Sequence, residues 1–477
     1  MASLTYQMDL RLIPKLTLQN DQNDMQTIPK DTNGHESFLN LALRSCKHSP
    51  VSRNAYQASV ISFDGSIIST SALPCVVGAL CLIENSYGRE TTGEVVRIHR
   101  DSLEIIPHDT KCPIQIGDQV TLLQSRQEVE VGEALLGRVI DGLGNPLDQL
   151  PNPICNEKYL LDGISVNPFQ RRQIDQILDV GIRNMNALLT VGSGQRLGIM
   201  AGSGVGKSVL LSMITKNTSA DVIVIALIGE RGREVASFTH EILSSHSQQK
   251  VVIVAVPADR SPLLRIQGAK RATAICEYFR DLGKNVLLIM DSLTRVAHAQ
   301  REVGLSLGEQ PTSRGYPPSV ISLLPNLIER TGTSTETEGA ITAIYTVLAD
   351  GDDIVSDPVV DTARAILDGH IVLSRELAQQ GVYPAIDVGQ SISRLMNDIV
   401  DDVQIKNANK LRRLISKYQE NRDLVLMGGY VQGQDQDLDI ALSLWPDILS
   451  FLQQDQAEEN SYEDACNSLA QLVGHLA

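Results

Sequence analysis

Residues 201–208 read Ala-Gly-Ser-Gly-Val-Gly-Lys-Ser, and Val209 follows. Glycines in so short a run let backbone N–H groups turn inward around an anion. Lys207 is placed to reach the β and γ phosphates of a nucleotide, and the Ser208 hydroxyl to bind Mg²⁺. Ala201, Gly202, Ser203, Gly204, Val205, Gly206, Lys207, Ser208 and Val209 are therefore the candidate nucleotide-binding positions. Ala201 stands where the usual form of the motif has glycine, and alanine is the smallest substitute.

Phosphate binding needs a strand before such a loop and a helix after it. Residues 196–200 read as a short buried strand, and 209–214 as the first turns of an apolar helix. That helix would point its positive end at the same anion.

Three other segments bear on hydrolysis. Residues 284–291 form an apolar run ending in Asp291, and a strand-end carboxylate is how such folds hold the Mg²⁺ shell. Residues 228–234, Ile-Gly-Glu-Arg-Gly-Arg-Glu, directly follow a buried strand. Glu230 is the candidate general base that polarises the attacking water. Glu234 is second choice for that role and reads better as an ion-pair partner. In residues 383–394, Arg394 follows a Ser-rich turn. It could supply charge to a neighbour's γ phosphate, although an arginine taken alone there reads as a surface or salt-bridge residue.

The elements that would position these groups follow from the hydrophobic pattern. Residues 1–50 are polar and irregular, and 19–33, rich in Asn, Asp, Gln and Thr, are expected to be disordered. Over 51–125, short β-like runs at close spacing suggest a small barrel or sandwich. Over 126–395, near-continuous apolar strands at 196–200, 222–228, 251–256, 286–290 and 340–347 alternate with helical patterns. That alternation means a parallel sheet covered on both faces, with the loop at the carboxyl end of a strand, where such sheets bind ligands. Residues 396–477 are helical in pattern, and Gly428-Gly429 closes the first long segment.

Composition sets limits. Hydrophobic residues make up 42% and charged residues 21% of 477, ordinary for a globular chain of two or three domains. No apolar run approaches a membrane span, and the N-terminus lacks a secretory pattern, so a cytoplasmic protein is expected. A net charge of −16 and an aromatic content of 4% argue against nucleic acid as the main partner. The seven cysteines contain no Cys-x-x-Cys pair and read as reduced thiols.

The motif segments occur together and in order with Leu136-Gly-Arg-Val-Ile-Asp-Gly-Leu-Gly144, Pro311-Thr-Ser-Arg-Gly-Tyr-Pro-Pro-Ser319, Ile366-Leu-Asp-Gly-His-Ile-Val-Leu-Ser-Arg375 and Tyr383-Pro-Ala-Ile-Asp387. Together they resemble the rotary-type ATPase family, which includes the catalytic β subunit of F-type ATP synthase. The form Gly229-Glu-Arg-Gly-Arg-Glu-Val235 is similar to the type III protein export ATPases. Residues 258–268, 299–302, 418–424 and 428–433 look like the flagellar rather than the injectisome branch.

The resemblance implies an α/β fold, with a RecA-like P-loop nucleotide domain preceded by a small N-terminal β-barrel and followed by a C-terminal helical domain. It implies a homohexamer with active sites at subunit interfaces, ATP as substrate and Mg²⁺ as cofactor. By it, Lys207 and Ser208 hold phosphate and Mg²⁺, Glu230 matches the catalytic carboxylate, Arg231 the residue beside it, and Asp291 the strand-end carboxylate. Tyr383 matches the position that packs on adenine, and Arg394 the arginine finger acting on the next subunit's nucleotide. Implied partners are a stator-like export regulator, a stalk protein, chaperone–substrate complexes and an export gate at the inner membrane, with the ATPase peripheral at its cytoplasmic face. The implied activity is ATP hydrolysis energising export of flagellar proteins.

The alternatives are an injectisome ATPase, an RNA-translocating hexameric helicase, and a ring subunit that binds nucleotide without hydrolysing it. Two departures from the family pattern stand out. Gly389-Gln390 replaces an expected apolar or small pair, and residues 1–50 show no clear match.

Overall fold

The computed structural model describes residues 56–109, 111–164, 166–244, 246–348, 357–474 and 476. The expectations for the tail, residues 1–50, lie outside the described residues.

The described chain begins with a closed barrel of six strands: β1 (Gln57–Phe63), β2 (Ile68–Ser71), β3 (Leu80–Glu84), β4 (Glu90–Ile98), β5 (Ser102–Pro107) and β6 (Gln119–Gln124), in the order β1-β2-β5-β4-β3-β6. Alternation along each strand decides the closure, because every second residue faces inward. Val60, Ile68, Cys81, Ile83, Val95, Leu103, Ile105 and Val120 fill the interior.

Short strands follow at β7 (Glu128–Val131), β8 (Val139–Ile140), β9 (Glu157–Leu160), β10 (Ile177–Leu178) and β11 (Val191–Gly192), with helix α1 (Arg183–Leu188) between the last two. The central sheet is built from β8, β12 (Arg196–Ala201), β13 (Val222–Ile228), β14 (Val251–Val256), β15 (Asn285–Asp291), β16 (Gly332–Thr333), β17 (Ala340–Leu348), β18 (Gly369–Leu373) and β19 (Ile386–Ser393). Its order is β19-β18-β12-β17-β15-β13-β14-β8, with β16 paired to β17. All neighbours are parallel except β16 with β17 and β18 with β19.

Strand β13 is Val-Ile-Val-Ile-Ala-Leu-Ile, every residue of it buried. Its side chains divide by the strand period of two. Ile223, Ile225 and Leu227 pack on one face with Leu210, Leu211 and Ile214 of α2 (Lys207–Asn217). Val222, Val224, Ala226 and Ile228 pack on the other. There they meet α4 (Pro262–Asp281), α5 (Leu293–Ser306) and α6 (Pro318–Glu329), which follow α3 (Gly232–Leu243). The continuous apolar runs of the sequence are thus strands covered twice.

Helices α7 (Pro358–Ile366), α8 (Arg375–Gln379) and α9 (Met396–Ile399) lead to the C-terminal helical region, α10 (Asp402–Leu426), α11 (Gln436–Leu452) and α12 (Tyr462–Val473). Each of these last three begins with a side-chain cap, from Asp401, Asp435 and Ser461, which satisfies N–H groups that the first turn leaves free. Leu411, Leu414, Ile415, Ile448, Phe451 and Leu469 join the core on the α2 face. Tyr418 of α10 stacks on Trp445 of α11 with centroids 3.6 Å apart.

One local expectation changes. The residues before Arg394 form not a Ser-rich turn but the edge strand β19, antiparallel to β18. Gly389 and Gln390 sit at an irregularity of that strand, where the Asp387 carboxylate accepts both their backbone N–H groups at 2.9 and 3.1 Å.

Candidate nucleotide site at the carboxyl edge of the sheet

The 201–206 segment links the end of β12 to the start of α2. Ala201 and Val205 are buried and anchor the segment in the core, while Ser203, Gly204 and Ser208 are exposed. Gly206 caps α2 in the left-handed region, φ 90°, and a Cβ on it would come within 3.3 Å of the Tyr383 ring. Glycine is therefore needed twice, for the turn and for the ring that packs against it. The amides of the first turn of α2 face this loop, making it a site for an anion.

Lys207 donates to Asp291 Oδ1 at 2.5 Å and stands 3.6 Å from Glu230 Oε1. Asp291 ends β15 and is 5% exposed; its Oδ1 also accepts from Thr346 of β17 at 2.6 Å. Glu230 follows Gly229, whose φ of 73° turns the chain off β13, and a Cβ on Gly229 would meet Arg295 Cβ at 2.8 Å. The Glu230 carbonyl accepts from Ala258 N at 3.0 Å, tying this turn to the end of β14.

The Glu230 side chain is 12% exposed, and its Oε1 has no hydrogen-bond partner among the described residues. Burial pushes its carboxyl above the usual range; the Lys207 charge pulls it down, Asp291 pushes it up, and Arg295 pulls it down again. A cavity of about 180 Å³ opens here, lined by Ser208, Glu230, Glu234, Glu241 and Asp291 together with apolar Val209, Leu227 and Phe238. A second cavity, of about 750 Å³, runs from Gly204, Gly206 and Tyr383 to residues 453–458 beyond α11.

The structure thus brings Lys207, Ser208, Glu230, Asp291 and Tyr383 around one loop. Arg231 lies at the margin, 85% exposed and paired with Glu234 at 3.1 Å. Arg394 is not brought to the loop. Its N–H donates to Asp368 O, and its Nη2 to Arg364 O at 3.1 Å. Ser393 pairs with Gly369 at the start of β18, whereas Leu373, at the end of β18, pairs with Ala201. Five strand steps from Asp368 to Leu373 span roughly 16 Å, so Arg394 and the loop of one chain occupy opposite ends of the sheet.

Thr346, Arg295 and the loop at 453–458 escaped the sequence reading. Thr346 left a signal, a polar residue inside the apolar run of β17. Arg295 left one too, four residues after Asp291 on the same segment, whereas the 453–458 loop left none, because only long-range packing brings it to the site.

A strand, a glycine loop, a lysine and a strand-end carboxylate at the carboxyl edge of a parallel sheet define a P-loop nucleotide-binding protein. Residues 181–393 match the ATP synthase alpha/beta family, nucleotide-binding domain, and residues 400–471 match the T3SS EscN ATPase C-terminal domain. The flagellum-specific ATP synthase of Salmonella typhimurium is 50% identical over 415 residues, 85% of this chain and 91% of that one. That of Bacillus subtilis is 44% identical over 413 residues, 86% and 94% of the two chains. The assembled ATPase EscN from the enteropathogenic E. coli type III secretion system superposes with a TM-score of 0.82 at 43% identity, over 87% of this chain and all (100%) of that one. EscN in complex with its central stalk EscO gives 0.81 at 42% identity over 87% of this chain. The chain belongs to the family of flagellum-specific ATP synthases, within the type III branch of the ATP synthase alpha/beta family, as its motifs led one to expect.

Proposed function

We propose that this chain hydrolyses ATP to energise type III export of flagellar proteins, using a site shared between neighbouring copies. The observation that carries the reading is the cluster of Lys207, Asp291 and the buried, unbonded Glu230 Oε1 at the foot of the phosphate loop.

In this reading Lys207 exchanges its carboxylate partners for the β and γ phosphate oxygens. The loop amides and the N-terminus of α2 hold the phosphates. Glu230 orients the attacking water and takes its proton at Oε1 while the bond from γ phosphorus to the bridging oxygen breaks. Arg231 adds positive charge at the mouth, and Tyr383 offers its exposed ring to the adenine.

The donors fit Mg²⁺. Ser208, Asp291 and Glu230 present oxygens only, and Glu230 Oε1 is unbonded among the described residues. Among those residues no three metal-ligating acids, histidines or cysteines converge, as suits an ion that keeps its waters and leans on phosphate. Ser208 and Asp291 would hold Mg²⁺, directly or through water, and Thr346 would fix the Asp291 carboxylate. Bound there, Mg²⁺ supplies neutralisation of the phosphate charge.

Arg394 stands too far along the sheet to serve its own nucleotide, which supports a role on the neighbour's. A homohexamer is the assembly proposed, in keeping with an EscN structure described as assembled. A stalk protein in its centre is proposed by analogy with the EscN–EscO complex. The further partners proposed are a stator-like regulator, chaperone–substrate complexes and an export gate. Among the described residues no helix is long and apolar enough to cross a membrane, and attachment at the cytoplasmic face of the inner membrane is proposed to run through those partners.

The test is ATP hydrolysis per chain against protein concentration, with particle size measured in the same samples. The parent should rise sigmoidally as rings form. Lys207→Ala should lose nucleotide binding and turnover, while Arg394→Ala should keep binding and lose turnover. Normal turnover in Arg394→Ala would refute the shared site.

A further inference from the structure

The larger cavity has an unusual far wall. Gly204, Gly206 and Tyr383 form the near side, and the chain between α11 and α12 forms the other. Tyr383 is 44% exposed. The far wall is held to the near one by a small set of polar contacts centred on Arg183, the first residue of α1.

Helix α11 ends at Leu452 with its C-cap, Gln453, in an extended conformation. Its last carbonyls therefore lack partners within the helix. Arg183 Nη1 donates to the carbonyls of Ser450, Phe451 and Gln453 at 3.2, 3.3 and 2.9 Å. Asn184 Nδ2 donates to that of Leu452 at 2.9 Å. The Arg183 Nη2 also pairs with the Glu458 carboxylate.

Gln454, 5% exposed, completes the arrangement. Its Oε1 accepts from Arg183 N at 2.8 Å, its Nε2 donates to Gly181 O and Glu458 O, and its backbone N–H donates to Tyr383 O at 2.9 Å. Arg183 and the Gln454 side chain thus anchor the 453–458 segment to the start of α1, and the Gln454 backbone N–H ties it to the tyrosine.

We propose that Arg183 is a positioning residue for the nucleobase: with Gln454 it clamps the 453–458 segment against Tyr383 and so sets the width of the slot that receives a purine. The proposal rests on the reading above that Tyr383 packs on the base. A planar heteroaromatic ring suits a slot with an aromatic face on one side. The exposed side chains of Gln453, Asp455 and Gln456 line the other side, and a glutamine amide can both donate to and accept from a base edge. The phosphates are held elsewhere, by the loop and α2, so the clamp should matter for nucleotides and not for a bare polyphosphate.

Equilibrium binding of ATP and of inorganic tripolyphosphate, each with magnesium, separates these contributions. The full chain is compared with Tyr383→Ala, Arg183→Ala and Glu458→Gln. The parent should prefer ATP. Arg183→Ala should lose about tenfold in ATP affinity, the worth of charge-assisted hydrogen bonds, while tripolyphosphate binding stays within about twofold. In turnover the same variant should raise KM for ATP and leave kcat close to the parent's. Glu458→Gln should shift ATP binding in the same direction by less.

Equal losses for both ligands in Arg183→Ala, or no loss for either, would overturn the clamp. If that variant does not fold, Glu458→Gln decides: it keeps the helix-capping bonds, and an undiminished ATP preference would overturn the proposal. An ATP preference that Tyr383→Ala fails to reduce would remove the base slot itself, and the clamp with it. Loss of preference in Tyr383→Ala but not in Arg183→Ala would leave the slot standing and reject the clamp alone.

Discussion

Replacing Glu230 by glutamine tests the chemistry most directly. The side chain keeps its size and loses its charge and its basicity. Its buried Oε1 has no hydrogen-bond partner to lose among the described residues, and Lys207, which loses only the 3.6 Å ion pair to it, still has Asp291 at 2.5 Å. The cost should therefore fall on the chemical step. A positioned general base contributes about 10²–10⁴-fold, which at about 1.36 kcal/mol per decade is roughly 3–5 kcal/mol of barrier. Nucleotide affinity should hold or rise, since a carboxylate beside the phosphates has been neutralised.

Stability gives an independent check. The folded carboxyl titrates above its unfolded value because of burial. Such an acid binds its proton more tightly in the folded state, so stability falls as pH rises through the window between the two values. At neutral pH the glutamine variant should then be as stable as the parent or more so, with a flatter dependence on pH across that window. In the parent, turnover should fall as pH drops through the raised value, because the base must be ionised. The assay is single-turnover hydrolysis with affinity and thermal unfolding measured alongside. A rate within tenfold of the parent, or a variant clearly less stable at neutral pH, would refute the reasoning.

Other outcomes follow from the same geometry. Thr346→Val removes the 2.6 Å bond to Asp291, worth about 1.5–3 kcal/mol for a charged acceptor; kcat should drop several-fold and the affinity for Mg²⁺–ATP over ATP alone should weaken, as paired titrations would show. Gly206→Ala forces a side chain into a left-handed position at 3.3 Å from Tyr383; with about 1–3 kcal/mol of strain, the fold should persist in circular dichroism while ATP binding is lost. Arg330→Met leaves Glu277 charged and alone in a pair where both side chains are less than 9% exposed, at 8% and 7%; unfolding in denaturant should show a loss of about 3–5 kcal/mol, and Arg330→Met with Glu277→Leu should recover most of it.

What could be read from the chain before folding was whatever depends on neighbours in sequence. The run Val222 to Ile228 declares a doubly covered strand because no polar residue interrupts it, and the loop at 201–208 declares itself by glycine spacing. Asp291 is legible as the one acid ending such a run. Strand β19 was not, because Gly389 and Gln390 interrupt the alternation of Ile386, Val388 and Ile392, and the buried face switches there from Ile386 and Val388 to Ser391 and Ser393; it exists by pairing with β18 at an edge. Thr346 acquires meaning only through the register that sets Tyr345 opposite Met290. The 453–458 segment reaches the site from some 250 residues further along the chain than the loop, as its hydrogen bond to Tyr383 shows, and no local pattern encodes such a meeting.

The placement of Arg394 and the phosphate loop at opposite ends of one sheet has an arithmetic consequence. If each completed site takes its arginine from the next chain, association is head to tail and cannot be two-fold symmetric. A pair of chains then holds one finished site and one lacking its arginine, and an open string of any length always has one unfinished end. Only closure removes that deficit. Turnover per chain would thus climb steeply with the first contacts and gain only its last fraction when the last chain finds the first, and an agent that caps either free end would silence a fraction of sites that grows as the string shortens.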